Sequence, residues 1–131
     1  PDETDPLGCM RQLLITLLQR LALDPKTRRI TEILFHRSEL TDELSDLRQQ
    51  RQTDSVECNG RIDQSLRNAV QRQQLPATLD TARAAICLHA YIDGLLSQWL
   101  LVPESFSLHR DAELLVDSAL DMLRESQALR R

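Results

Sequence analysis

One apolar stretch constrains the fold of this 131-residue chain more than any other feature. Residues 84–102 read AAICLHAYIDGLLSQWLLV, the most hydrophobic run in the sequence, yet they include His89 and Asp93 four residues apart. A helix of this composition is expected to be buried on nearly all sides, where an unpaired carboxylate costs several kcal/mol. Because polar residues interrupt the run, we interpret it as a core helix and expect no membrane span.

Helix start signals precede the first two predicted helices. Aspartate followed by proline occurs at residues 5 and 24, where the carboxylate can cap free backbone amides and proline fits the first turn. Apolar residues at helical spacing then predict helices over residues 6–23 and about 25–37.

The third predicted helix is unusually long. No proline occurs between residues 41 and 74, and apolar residues recur at helical spacing at both ends of this segment. Residues 48–55, RQQRQTDS, are polar all round. One helix over about 41–74 is our interpretation, and two helices broken near residues 53–55 are the alternative.

The last two helices have clear boundaries. Asp80 can cap a fourth helix that Pro103 terminates, and Ser107 can cap a fifth over about residues 108–124. No segment alternates polar and apolar residues with the period of a strand. The sequence therefore predicts an all-α, five-helix bundle that forms a single domain over residues 1–131.

Composition excludes several classes of function. The net charge of −4 makes nucleic acid a poor partner for this chain alone. Histidines and cysteines lack metal-ligand spacing, and glycines are isolated, so we expect no metal, no cofactor and no enzymatic activity. Cys9, Cys58 and Cys87 are odd in number and far apart, which favours a reduced, cytoplasmic setting.

The fourth helix presents two apolar surfaces, and so does the fifth. Small residues form one stripe of the fourth helix, while the other surface carries larger side chains with both ionisable groups. A small bundle cannot easily cover all of these surfaces, which predicts a homodimer joined through the last two helices as a four-helix interface. The alternative is that both surfaces are covered within one chain. The predicted interface residues are Cys87, Ala90, Gly94, Gln98, Leu101, Leu115, Ala119 and Met122.

Asp93 admits three roles on the sequence alone. It can be a structural hydrogen-bond acceptor, an interface residue, or the polar anchor of an apolar small-molecule cavity. Composition alone favours the structural role.

Three segments resemble the ligand-binding domain of TetR-family repressors, in particular the multidrug-efflux regulators. They are RRITEILFHRSELTDEL (28–44), QLPATLDTARAAICLHAYIDGLLSQWLLVPESFSL (74–108) and LDMLRESQALRR (120–131). The resemblance implies a dimer whose amino-terminal helix-turn-helix, absent from this chain, binds operator DNA. It also implies that hydrophobic effectors such as antibiotics bind between the helices and release the repressor from DNA. The alternative is a helical protein-interaction module without a small-molecule site.

The same resemblance implies a set of pocket residues and changes the expected role of Asp93. Residues from four helices are expected to line the effector cavity, with Asp93 facing the ligand. They are Met10, Leu13, Leu14, Leu17, Thr31, Leu34, Phe35, Cys58, Asn59, Ile62, Leu88, His89, Ile92, Asp93 and Leu96.

Overall fold

The described part of the chain folds into a bundle of five α-helices, as the sequence predicts. A computed structural model describes residues 4–37 and 45–131, without the side chains of residues 31, 32, 34–37 and 45–47. The helices are α1 (Pro6–Leu23), α2 (Pro25–Arg37), α3 (Ser45–Gln71), α4 (Thr81–Leu101) and α5 (Leu108–Glu125), followed by a short 3-10 helix (Gln127–Leu129). No strand occurs in the described part of the chain, which confirms the all-α class.

Both aspartate–proline signals begin helices at the predicted positions. The Asp5 carboxylate accepts a hydrogen bond of 3.0 Å from the Gly8 amide and caps α1. The Asp24 carboxylate accepts hydrogen bonds from the Thr27 hydroxyl at 2.7 Å and from the Lys26 amide at 3.0 Å. These bonds, the Thr27 hydroxyl first, hold the pKa of Asp24 below its ordinary value.

Helix α3 is continuous from Ser45 to Gln71, so the alternative of two helices is wrong. Residues 41–44 of the predicted helix lie outside the described residues. The helix ends earlier than predicted because Gln73 adopts a left-handed φ of 63°. The Gln73 amide donates to the Val70 carbonyl and the Gln74 amide to the Ala69 carbonyl, which together form a Schellman motif. Glycine usually occupies the left-handed position after a helix. Because glutamine occupies it here, the sequence carries no glycine signal for the end of α3.

The predicted caps of the last two helices are confirmed. The Asp80 carboxylate accepts a 3.0 Å hydrogen bond from the Arg83 amide at the start of α4. The Ser107 hydroxyl accepts a 3.1 Å hydrogen bond from the Arg110 amide at the start of α5. Each side chain stabilises its helix by occupying one of the free amides of the first turn.

The core is aliphatic and built mainly from leucine. Its fully buried large side chains include Leu18, Leu66, Leu88, Leu120 and Leu123. The most extensive helix pairings are α1 with α5 and α3 with α4. Pairing of the first and last helices brings distant parts of the sequence together and does not follow from loop length.

The end of the chain is tied to the start of α4. The Asp80 amide donates to the Leu129 carbonyl, and the Arg131 amide donates to the Thr78 carbonyl, each at 2.7 Å. These bonds surround an isolated antiparallel bridge between Leu79 and Arg130. Leu79 and Leu129 are buried beside them in the core. No pattern in the sequence predicts this contact.

Of the described helices, only α4 has the length and hydropathy of a membrane span. The inner helix of a soluble bundle meets the same two criteria, so this observation is weak evidence for a membrane. Ala84, Leu88 and Trp99 of α4 are buried in the core of the bundle.

Candidate functional site

An apolar groove lies between α1 and α3 and opens to solvent. Its volume is about 240 Å³. Five of the residues predicted to bind an effector line it: Met10, Leu13, Leu14, Cys58 and Ile62. The remaining lining residues are Pro6, Cys9, Arg61 and Ser65. The walls are thus mostly aliphatic side chains and thiols, with one guanidinium and one hydroxyl.

The groove exists because one side of α1 is left uncovered. Leu13 is 65% exposed and Leu17 is 46% exposed, although both are leucines on a helix with a long apolar face. Ile15 and Leu18, on other sides of the same helix, are buried in the core. Helix α1 therefore has more apolar surface than the described helices cover, and its excess borders the groove.

A polar cluster of Asn59, His89 and Asp93 joins α3 to α4. His89 Nδ1 lies 2.8 Å from Asn59 Oδ1, and His89 Nε2 lies 3.4 Å from Asp93 Oδ2. A neutral imidazole carries one N–H and can donate to only one of these oxygens. The Asn59 amide nitrogen and the second Asp93 oxygen are not used in these contacts. The cluster can therefore offer a donor and an acceptor to a ligand.

The polar cluster adjoins the groove through Cys58, the chain neighbour of Asn59. Burial raises the pKa of the Cys58 thiol, the nearby positive charge of Arg61 lowers it, and the negative charge of Asp93 raises it further. Asp93 is therefore one of the charged groups that act on the Cys58 thiol. Directional polar groups thus stand beside an aliphatic cavity, the usual composition of a small-molecule site.

The expectation that Asp93 lies in a helix buried on nearly all sides is wrong for the described part of the chain. Its side chain is 46% exposed, and one oxygen already faces His89. Its carboxylate therefore does not bear the full cost of burial. On the same helix Ile86 and Leu101 are largely exposed, so α4 has an open side as well as a packed one.

Other predicted ligand residues lie elsewhere. Leu88, Ile92 and Leu96 are buried in the core and do not line the α1–α3 groove. Leu17 is exposed on α1 outside the lining. The side chains of Thr31, Leu34 and Phe35 are outside the described part of the structure.

Sequence reasoning missed Cys9 and Arg61 as lining residues. A signal existed for both, because Cys9 lies four residues before Leu13 and Arg61 lies next to Ile62. Within the described ranges, no group of three or more His, Cys, Asp or Glu residues could hold a metal ion.

The small-residue stripe of α4, formed by Cys87, Ala90, Gly94, Gln98 and Leu101, is largely open. Ala90, Gln98 and Leu101 are exposed, with Leu101 at 78%. A Cβ atom added at Gly94 would meet nothing within 4 Å. Cys87 is partly buried and packs against the core, so the stripe is open mainly at Ala90, Gln98 and Leu101.

The α5 residues of the predicted interface differ among themselves. Ala119 is completely buried within the chain, so its side chain belongs to the core and not to an exposed interface. This departs from the prediction, because the face of α5 that carries Ala119 is turned toward the rest of the bundle. Leu115 and Met122 are partly buried. Leu115 also accepts, through its carbonyl, a 3.0 Å hydrogen bond from the Tyr91 hydroxyl of α4.

The fold and the sequence together define a class. Over residues 5–125 the chain matches the family described as "MAATS-type transcriptional repressor, C-terminal region". The chain therefore belongs to this family, which comprises the carboxy-terminal regions of TetR-family regulators.

Two curated relatives and one solved structure are similar over most of the chain. The HTH-type transcriptional regulator TtgR of Pseudomonas putida is 53% identical over 130 residues, which cover 99% of this chain and 62% of TtgR. The HTH-type transcriptional regulator AcrR of Shigella flexneri is 36% identical over 118 residues, covering 90% of this chain and 55% of AcrR. The crystal structure of MexZ, a repressor responsible for antibiotic resistance in Pseudomonas aeruginosa, superposes with a TM-score of 0.80 at 26% identity, covering 100% of this chain and 66% of that one. The chain thus spans less than two thirds of the length of these two curated relatives.

Proposed function

We propose that this chain is the effector-sensing and dimerisation region of a cytoplasmic transcriptional repressor that controls a multidrug efflux pump. The observation that carries the proposal is the solvent-open apolar groove between α1 and α3 with the polar cluster of Asn59, His89 and Asp93 beside it. Membership of the family and the similarity to TtgR and AcrR support the regulatory role.

The groove would bind hydrophobic compounds, including antibiotics, without strict shape requirements. Aliphatic walls supply non-directional affinity in proportion to the apolar area buried. Asn59, His89 and Asp93 add a few directional contacts, so several scaffolds with a suitably placed polar group would fit. An effector alters DNA binding only if it binds one arrangement of the helices better than the other.

The partners follow from the same proposal. A second copy of the chain would cover the small-residue stripe of α4, as part of a four-helix interface with α5. Operator DNA would be bound by a helix-turn-helix region that is not part of this chain. With its net charge of −4, this region would contribute little to DNA affinity.

A single substitution tests the ligand role of Asp93. Replacement of Asp93 by asparagine should weaken binding of hydrogen-bonding hydrophobic compounds about tenfold, since it replaces a hydrogen bond to a charged group, worth about 1.5–3 kcal/mol, by a neutral one, worth about 0.5–1.5 kcal/mol. Binding is measured by calorimetry on compounds first identified in a thermal-shift screen of diverse antibiotics. The fold should be preserved, because the Asp93 side chain is half-exposed.

The matched control is Asp54→Asn, which changes an exposed aspartate of α3 that accepts a hydrogen bond from Gln50. It should leave affinity unchanged. If Asp93→Asn binds ligands normally and only unfolds earlier, Asp93 is structural. If no compound in the screen stabilises the protein, the groove is not an effector site, and the alternative of a protein-interaction module is favoured.

A further inference from the structure

Two of the three cysteines line the α1–α3 groove from opposite walls. Cys9 belongs to the second turn of α1 and Cys58 to α3, and both thiols are free and partly buried. Cys87, the third cysteine, lies on the small-residue stripe of α4 and is not among the lining residues. The groove thus combines apolar walls with two unpaired sulfur nucleophiles, and the reversible binding role proposed above uses neither.

We propose that the groove is also a covalent modification site for lipophilic electrophiles of the α,β-unsaturated carbonyl class, with Cys9 and Cys58 as the acceptor thiols. This inference rests on the proposed effector role of the same groove, and it names a chemical class of effector.

The reaction is a conjugate addition and is balanced without a co-reactant. The thiol loses its proton to solvent, and the thiolate sulfur forms a bond to the β-carbon of the electrophile. The π electrons of the C=C bond move toward the carbonyl, and the resulting enolate takes a proton at the α-carbon. No group leaves, and nothing is oxidised or reduced.

The groove provides selectivity by concentrating the reagent. Burial favours the neutral form of the Cys58 thiol, so a reagent that meets it only by diffusion from water gains no advantage. A reagent with an apolar body can bury that body against Met10, Leu13 and Ile62 and hold its β-carbon near the thiols. A cavity of about 240 Å³ admits a compact ring.

Charges act on the groove in both directions. The Arg61 guanidinium lines the groove and would attract an anionic reagent, whereas the Asp93 carboxylate, which acts on the Cys58 thiol, would repel it. The two labelling rates are therefore compared at low and high salt, because a preference due to apolar burial persists at high salt and one due to charge is screened.

The test compares two maleimides with the same reactive ring. N-cyclohexylmaleimide carries an apolar body, and 3-maleimidopropionic acid carries a carboxylate. Labelling rates at each cysteine are followed by mass spectrometry of the whole protein and its peptides. At each cysteine the rate with the apolar maleimide is divided by the rate with the anionic one. This ratio is then divided by the same ratio for mercaptoethanol, which corrects for intrinsic reactivity. After this correction for intrinsic reactivity, the apolar reagent should be favoured about tenfold at Cys9 or Cys58.

Ratios at Cys9 and Cys58 that both equal the ratio for mercaptoethanol would overturn the proposal. The wild-type protein suffices for this measurement, so it does not depend on the folding of a variant. The double substitution Cys9→Ser and Cys58→Ser should abolish the preferential labelling of the protein by the apolar reagent.

Failure of this inference is distinguishable from failure of the proposed function. If calorimetry shows reversible binding of hydrophobic compounds to wild type but the labelling ratios are uniform, only the covalent site is lost. If labelling is selective but no compound binds reversibly, the covalent site stands and the reversible effector role fails.

Discussion

The two sides of α1 show how one helix serves two purposes with the same kind of residue. Leu18 is completely buried and belongs to the core with Val116 and Leu123 of α5, whereas Leu13 lies in the groove with 65% of its surface exposed. Hydrophobicity alone does not distinguish these two leucines. The difference is whether another helix covers them, and the uncovered side is the one available to a ligand.

The largest expected difference in stability is between two separate variants, Leu18→Ala and Leu13→Ala. Leu18→Ala should lower the free energy of unfolding by about 2–5 kcal/mol, because it creates a cavity in a closely packed core. Leu13→Ala should change it by less than about 0.5 kcal/mol, since it removes an exposed side chain. Urea denaturation of the two variants measures both values.

The matched pair also separates stability from binding. Leu13→Ala should weaken the affinity for hydrophobic compounds while the unfolding midpoint stays nearly constant. Equal destabilisation by the two substitutions would contradict the comparison, because it would mean that the groove side of α1 is covered in the folded protein.

The same contrast applies to α4, whose stripe around Gly94 is uncovered. Gly94→Leu should leave the single chain folded, because nothing lies within 4 Å of an added Cβ, but should obstruct a partner helix. The dimer dissociation constant should rise at least about tenfold, which is about 1.4 kcal/mol. Analytical ultracentrifugation over a range of concentrations measures it.

Gly60→Leu is the control for that experiment. Gly60 is also a helical glycine with open space around it, but it lies on α3, so both substitutions raise helix propensity similarly. An unchanged dimer in Gly94→Leu, or a monomeric wild type, would show that the stripe is not an interface between two copies.

The smallest expected effect concerns the packed side of α1. Arg11 Nε donates to Asp117 Oδ1 at 2.6 Å, and this hydrogen bond is the main cause of the lowered pKa of Asp117. Because the pKa of Asp117 is lower in the folded protein, its pair with Arg11 contributes to stability at pH values above the ordinary carboxyl pKa. This contribution is lost as pH falls through about 4 toward the lowered value. Asp117→Asn should therefore destabilise slightly at pH 7 and not at strongly acidic pH.

Urea denaturation of Asp117→Asn and wild type at the two pH values measures this difference. Both side chains are more than a third exposed, at 36% and 44%, so salt should reduce the effect. Asp121→Asn is a suitable control, because Asp121 pairs only with Arg124 of its own helix among the contacts described. A difference that persists in acid would rule out the ion pair as its source.

Local signals in the sequence account for nearly all of the helix boundaries. Caps such as Asp5, Asp80 and Ser107 act within one turn, so their chemistry can be read without knowing the rest of the fold. Helix α3 ends before the predicted position because Gln73 adopts a left-handed conformation that is usual for glycine and rare for glutamine. Pairing of α1 with α5 depends on the whole topology and had no local signal.

The candidate site was predictable only in part, for a similar reason. Helical spacing placed Met10, Leu13 and Leu14 on one face, and the structure finds them together in the groove. Spacing does not reveal which apolar face another helix will cover, so it does not show that Leu88, expected in the effector cavity, and Ala119, expected at the dimer interface, are buried in the core. The sequence predicts two surfaces on α4 but not which of them stays open in a single chain, so the 46% exposure of the Asp93 side chain does not follow from it.

The link between the end of the chain and the start of α4 holds one end of that helix in place. Paired backbone hydrogen bonds hold Thr78 and Asp80 in place, whereas Leu101 at the opposite end is exposed. With 21 residues, α4 is about 31 Å long. A tilt of about 5° around the fixed end would therefore move the other end by about 3 Å.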